Sequence, residues 1–229
     1  MAAPELVIFD CDGVLVDSEP LSIDVLVRVL RTAGVEMDAD EATERFLGKS
    51  LMTMTKILHD DFGLQVDEPF LEDMRRDLYQ RFETELQPIA GIAGVLDHLE
   101  VPRCVASSSQ MERIRLSLTI TGLIDRLDPH IFSATMVTNG KPAPDLFLHA
   151  AGVMGVATDK CIVIEDSPAG IVAAKAAGMR VFAFTGASHA RTERHLGAIR
   201  ALQPDAVFDD MRELIHLVAK EQKRDGHPG

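Results

Sequence analysis

Three features of the 229-residue chain predict an α/β fold in which a parallel sheet lies between two layers of helices and an α-helical domain is inserted after the first strand. Leu6 to Phe9 form a short apolar run that reads as a buried strand. From Ser18 to about Gln87 apolar residues recur at helical spacing, with no convincing strand. After Pro88 apolar runs alternate with helix-spaced segments, the pattern of a parallel sheet covered on both faces. The expected division is 1–17 and 88–229 for the sheet domain and 18–87 for the helical insertion.

The first strand runs into Asp10-Cys11-Asp12-Gly13, two carboxylates at a strand's C-terminal end, where open α/β sheets bind their ligands. Gly13 offers the backbone freedom to turn there. Asp often ends strands, so a plain turn accounts for the pair taken alone. A calcium loop is excluded, because Leu15 and Leu21 stand where it needs a Gly and a Glu. A metal-assisted nucleophilic site needs partners elsewhere in the chain.

In the helical block, Leu21, Val25, Leu26, Val29, Leu30 and Ala33 mark a first helix ended by Gly34. Phe46 and Leu47 close a second, and Leu51 to Phe62 and Phe70 to Leu86 supply two more. Leu47-Gly48-Lys49-Ser50 has the ending of a P-loop, but Thr43 occupies the position of the required Gly and no strand precedes it. Nucleotide-loop chemistry is rejected, which leaves Lys49 as a solvated lysine or a substrate contact.

Pro88, Gly91 and Gly94 punctuate the return to the sheet. Arg103 to Ser109 reads as strand and turn, with a capping box from Ser109 to Glu112 opening a helix. Ser107 and Ser108 therefore sit where free amides suit an anion, though serines are also common caps. In Gly140-Lys141-Pro142-Ala143-Pro144-Asp145 two prolines stiffen the presentation of Lys141 ahead of a helix from Asp145 to Val153. That lysine could serve a phosphate as a point charge, or be a surface residue. Ile162-Val163-Ile164-Glu165-Asp166 is a strand ending in two acids, before a helix capped by Ser167 with Pro168 at its first position and stopped at Gly178. Met179 to Phe184 and Ala206 to Phe208 complete the strands. The loops bearing Asp10 and Asp12, Ser107, Lys141, and Glu165 with Asp166 can all meet on one sheet edge.

Bulk properties narrow the function classes. A net charge of -13 and a pI near 5.0 argue against nucleic acid or an anionic membrane surface as partner. Cys11, Cys104 and Cys161 lack metal-type spacing and adjoin apolar runs, so they are expected as buried thiols in a reducing cytoplasm. The histidines share no metal spacing and are expected to be surface or structural residues. The N-terminus lacks a basic region followed by a long apolar core, so no signal peptide is expected, and no apolar run is long enough to span a membrane. Lys223 to Gly229 is expected to fray, and the chain to be a monomer.

With these residues in view, the chain resembles the haloacid dehalogenase-like hydrolase superfamily, in its branch with a small helical cap. Asp10-Cys11-Asp12-Gly13-Val14, Ser107 after its strand, Lys141 in Gly-Lys-Pro-Ala-Pro-Asp, and Glu165-Asp166 match the four motifs in order, over nearly the whole chain. The resemblance implies a three-layer Rossmann-like catalytic core with a helical cap, most similar to sugar-phosphate phosphatases and β-phosphoglucomutases. It implies Asp10 as nucleophile and Asp12 as general acid, then base. Mg²⁺ would be held by Asp10, Asp166 and the Asp12 carbonyl, with Glu165 behind them or bound through water. Ser107, the Ser108 amide and Lys141 would hold the phosphoryl oxygens, with Lys49 and Arg75 or Arg76 reaching from the cap, unless those arginines are solvated helix charges.

Dehalogenases of the superfamily lack an acid at the position of Asp12, so phosphoryl transfer is implied. The mutases carry a cap-hinge His and a cap Arg where this chain has Ser22 and Leu51. The expectation is a Mg²⁺-dependent phosphatase acting on a small phosphorylated sugar or sugar acid. A phosphosugar mutase and a binding module without turnover are the alternatives.

Overall fold

Six apolar segments form one sheet in which every neighbouring pair is parallel: β1 (Leu6–Phe9), β2 (Arg103–Ser107), β3 (Ile131–Ser133), β4 (Cys161–Glu165), β5 (Arg180–Phe184) and β6 (Ala206–Phe208). The structure, a computed structural model, describes residues 3–46 and 51–224. The strand order is β3-β2-β1-β4-β5-β6, so β1 lies between β2 and β4 and the direction of winding reverses there. Ile8 sits opposite Cys104 on one side and Val163 on the other, which fixes the ends of β1, β2 and β4 at nearly the same level.

The alternation of side chains explains why these runs are apolar throughout. Leu6, Ile8, Cys104, Ala106, Cys161, Val163, Val181 and Ala183 point to one face and share a core with helices α7 (Asp145–Met154), α8 (Pro168–Ala176) and α9 (Glu193–Ala201). The alternate residues Val7, Phe9, Val105, Ile162, Ile164, Phe182 and Phe184 are equally buried, as a sheet covered on both faces requires. Helix α8 begins where the sequence places it: the Ser167 hydroxyl accepts from the Gly170 N–H at 3.0 Å and Pro168 occupies the first turn. Strand β3 and helices α5 (Ile92–His98), α6 (Met111–Ile120), α9 and α10 (Leu214–Arg224) complete the unit; of these the residues alone predict only that a helix follows β2.

The chain divides into two compact units, Met1–Asp17 with Gln87–Gly229, and Ser18–Leu86. Gln87 falls with the sheet, one residue earlier than expected, because its carbonyl accepts from the Asp17 N–H at 3.0 Å. The second unit consists of α1 (Glu19–Thr32), α2 (Ala39–Phe46), α3 (Leu51–Phe62) and α4 (Glu68–Glu85) around a core of its own that includes Leu26, Leu30, Phe46 and Leu58. Helix α4 starts two residues before its expected start, since Pro69 is tolerated in a first turn and the Asp67 carboxylate accepts from the Phe70 N–H at 3.0 Å. Among the described residues no helix is long and apolar enough to cross a membrane.

Candidate active site

At the point where the strand order reverses, the loops leaving β1 and β4 open side by side, and the Asp10 N–H donates to the Ile164 carbonyl at 3.0 Å to continue their pairing. Lys141, from the loop ahead of α7, ties three strand ends together. Its ammonium donates to Asp10 Oδ1 at 2.8 Å, to the Ala106 carbonyl at 3.0 Å and to Glu165 Oε1 at 2.6 Å. All three N–H groups are thereby used, and the side chain is only 3 % exposed, with the Phe147 ring 4.8 Å away beneath the charge. Burial works against this ammonium, yet Asp10 and Glu165 hold its pKa above the ordinary lysine value.

Glu165 is fully buried and fully engaged. Besides Lys141 on Oε1, its Oε2 accepts from the Asp166 N–H at 3.0 Å, the Ser167 N–H at 3.0 Å and the Ser167 hydroxyl at 2.9 Å. A Cβ on Gly170 would come within 1.8 Å of this carboxylate, so the helix can pass only as glycine. Gly170→Ala is therefore expected to destabilise the protein by more than about 1 kcal/mol, against the usual sense of Gly→Ala in a helix. Gly152 in α7 has open space around it, and Gly152→Ala is expected to stabilise by about 0.5–1 kcal/mol. Urea unfolding of both variants checks the pair of opposite signs.

Asp166 is buried next to Asp10 and Glu165, and each of the three offers a carboxylate oxygen within 4.8 Å of the others. Three clustered acids, of which one ammonium pairs with Asp10 and Glu165, leave negative charge that a cation can balance, and carboxylate oxygens suit a hard divalent metal. The residues present thus fit the metal expected from the sequence. Burial pushes the Asp10 carboxyl well above the ordinary carboxylate range; Lys141 opposes the rise, and the charges of Glu165 and Asp166 add to it.

Asp12 is placed differently from Asp10. The Ser109 hydroxyl donates to its Oδ2 at 2.7 Å and the Arg113 guanidinium to its Oδ1 at 2.9 Å, so both oxygens are oriented by the turn and helix that follow β2. This corrects the expected capping box. Helix α6 starts at Met111 behind Gln110, with no side-chain cap, because the Ser109 hydroxyl is spent on Asp12. The Ser107 hydroxyl accepts from the Ser109 N–H at 3.1 Å and keeps its own proton to donate, while Ser108 is exposed. Cys11, between the two aspartates, is a buried thiol whose pKa is pushed well up by burial and by the charges of Asp12 and Asp10, which makes it inert. Cys104 and Cys161 are buried free thiols as well.

Two histidines expected to be surface or structural residues belong to this site. His189 Nε2 lies 2.9 Å from Asp166 Oδ2, and His195 Nε2 lies 2.8 Å from the Asp166 carbonyl. They come from the loop after β5 and from α9, six positions apart, so no short-range metal spacing marks them. Lys49 lies outside the described residues. Arg75 and Arg76 stand on α4 in the helical unit, Arg75 at 3.9 Å from Glu68 and Arg76 bonded to Asp73, acids of the same helix.

A family model described as haloacid dehalogenase-like hydrolase matches residues 7–184. The chain is similar to the 6-phosphogluconate phosphatase of Escherichia coli strain K12, 32% identical over 190 residues that cover 82% of this chain and 86% of that protein. It is similar in structure to a conserved haloacid dehalogenase-like protein of unknown function from Agrobacterium tumefaciens strain C58, with a TM-score of 0.84, 37% identity and coverage of 95% and 99% of the two chains. A hydrolase of this kind from Deinococcus radiodurans R1, solved with bound phosphate and sodium, gives a TM-score of 0.79 at 30% identity, covering 96% and 97%.

Proposed function

The chain belongs to the haloacid dehalogenase-like hydrolases, and on that premise we propose that it is a Mg²⁺-dependent phosphatase acting on a small sugar phosphate or sugar-acid phosphate through an aspartyl-phosphate on Asp10. The observation that supports this most is the buried Lys141 ammonium, which joins Asp10 to the ends of β2 and β4 and pairs with Asp10 and Glu165, two members of the three-acid cluster. The similarity to a 6-phosphogluconate phosphatase supports a phosphorylated sugar acid as the substrate class.

Asp10 attacks phosphorus, and the bond from phosphorus to the sugar oxygen breaks. Asp12 gives a proton to that leaving oxygen and then takes one from the water that attacks the aspartyl-phosphate, releasing inorganic phosphate and restoring Asp10. To carry a proton, Asp12 gives up one of its bonds to Ser109 and Arg113. Ser107, the Ser108 amide and Lys141 bind the phosphoryl oxygens, Lys141 giving up its bond to Asp10 as that carboxylate attacks. Glu165 acts through Lys141 and the loop it braces, leaving Asp10, Asp166 and the Asp12 carbonyl to hold the metal. When bound, Mg²⁺ offsets the repulsion between the attacking carboxylate and the phosphoryl group. We assign selection of the sugar to the helical unit, with Lys49, Arg75 and Arg76 as its candidate contacts.

Incubation with a panel of sugar and sugar-acid phosphates, 6-phosphogluconate included, is expected to release inorganic phosphate when Mg²⁺ is present. Release should stop on chelation and return with added Mg²⁺. No release from any member of the panel at saturating Mg²⁺ would overturn the assignment.

A further inference from the structure

The mechanism above uses neither His189 nor His195, although both touch Asp166. A carboxylate and a carbonyl only accept, so both Nε2 atoms are donors, and each ring has a fixed role. His189 takes Asp166 Oδ2, and His195 takes the main-chain oxygen of the same residue. The two rings meet edge to face with centroids 5.6 Å apart, and the His189 side chain is only 7 % exposed. The loop that brings His189 is itself anchored, the Ser188 hydroxyl donating to Asp17 at 2.8 Å.

The opposite side of the contact is shaped to fit. Gly13 has φ +81°, and a Cβ there would lie 2.0 Å from Asp166 Oδ2 and 2.9 Å from His189 Cε1. The loop after β1 thus makes room for both partners of the bond. Rotation of an aspartate about its last side-chain bond is soft, and a carboxylate that binds a cation through one oxygen is aimed by whatever holds the other.

Resting on the reading of Asp166 as a metal ligand, we infer that His189 is a positioning residue that aims the Asp166 carboxylate for cation binding, with His195 fixing the backbone behind it. The site then has a fifth contributing loop, the one after β5, in addition to the four legible in the motifs.

The test is direct titration of the whole protein with Mg²⁺ by calorimetry, with no substrate present. His189→Ala is expected to raise the dissociation constant about 10–100-fold. His189→Gln, which can present an N–H at nearly the same reach, is expected to restore most of the affinity; His189→Asn, one carbon shorter, is not. These two variants carry the test if the alanine variant fails to fold. Equal Mg²⁺ affinity in the wild type and the Ala or Asn variants overturns the inference. A wild-type protein that hydrolyses sugar phosphates but binds no Mg²⁺ overturns the metal reading instead.

Discussion

Asp10→Asn is expected to lower hydrolysis of every sugar phosphate that the wild-type protein accepts by at least about 10⁴-fold, the scale of loss when a covalent nucleophile is removed. The amide is neutral, and no acyl-phosphate can form on it under turnover. The substitution should nevertheless leave the fold intact, since an Asn oxygen at this place still accepts from Lys141. The native carboxyl is buried, its pKa raised by desolvation and by Glu165 and Asp166, so it burdens the metal-free fold with charge. Removing that charge is expected to stabilise the metal-free protein by about 0.5–2 kcal/mol, as is common where a functional site holds strain. Phosphate release and urea unfolding without Mg²⁺ measure the two effects. A variant retaining a tenth of the wild-type rate would place the nucleophile elsewhere.

The opposite directions of these two effects explain what the sequence makes legible. Strands β1, β4, β5 and β6 follow from continuous apolar runs, and the loops with Asp10, Ser107, Lys141 and Glu165 from turn residues placed right after or between them. Local pattern also sets α1 to α4 and the cap of α8. It fails where a side chain answers to a distant partner. Ser109 has the spacing of a cap, but its hydroxyl bonds Asp12, 97 positions away in the chain. Arg113 reads as an ordinary helix arginine until the fold brings it to the same carboxylate. His189 gains its role only through the register of β5 beside β4, which sets its loop against Asp166. Strand β3, three residues long between a Pro-containing turn and a short helical turn, is too brief for alternation to show. Its place is fixed by pairing with β2 and by the Ser133 hydroxyl, which donates to the Ser109 carbonyl at 2.7 Å.

Lys141→Met should damage folding and chemistry together. The aliphatic stem is roughly matched, so the change isolates the ammonium. Its loss leaves Asp10, Glu165 and the Ala106 carbonyl without a shared donor inside a site that is almost closed to water. Breaking one side of a buried ion pair costs about 3–5 kcal/mol, a large part of the stability of a domain. Activity is expected to fall by about 10²–10³-fold in addition, the usual effect of deleting one preorganised donor that faces developing charge. Arg is not an adequate replacement, because a planar guanidinium cannot direct N–H groups at three acceptors grouped around a point charge. The two effects can be separated by the double variant Lys141→Met with Glu165→Gln. Neutralising Glu165 removes a buried charge left unpaired, so the double variant should regain part of the lost stability while its activity stays low. Recovery of both together would mean that Lys141 only supports the fold. Recovery of stability alone would separate its two tasks, holding Glu165 in place and facing the phosphoryl group.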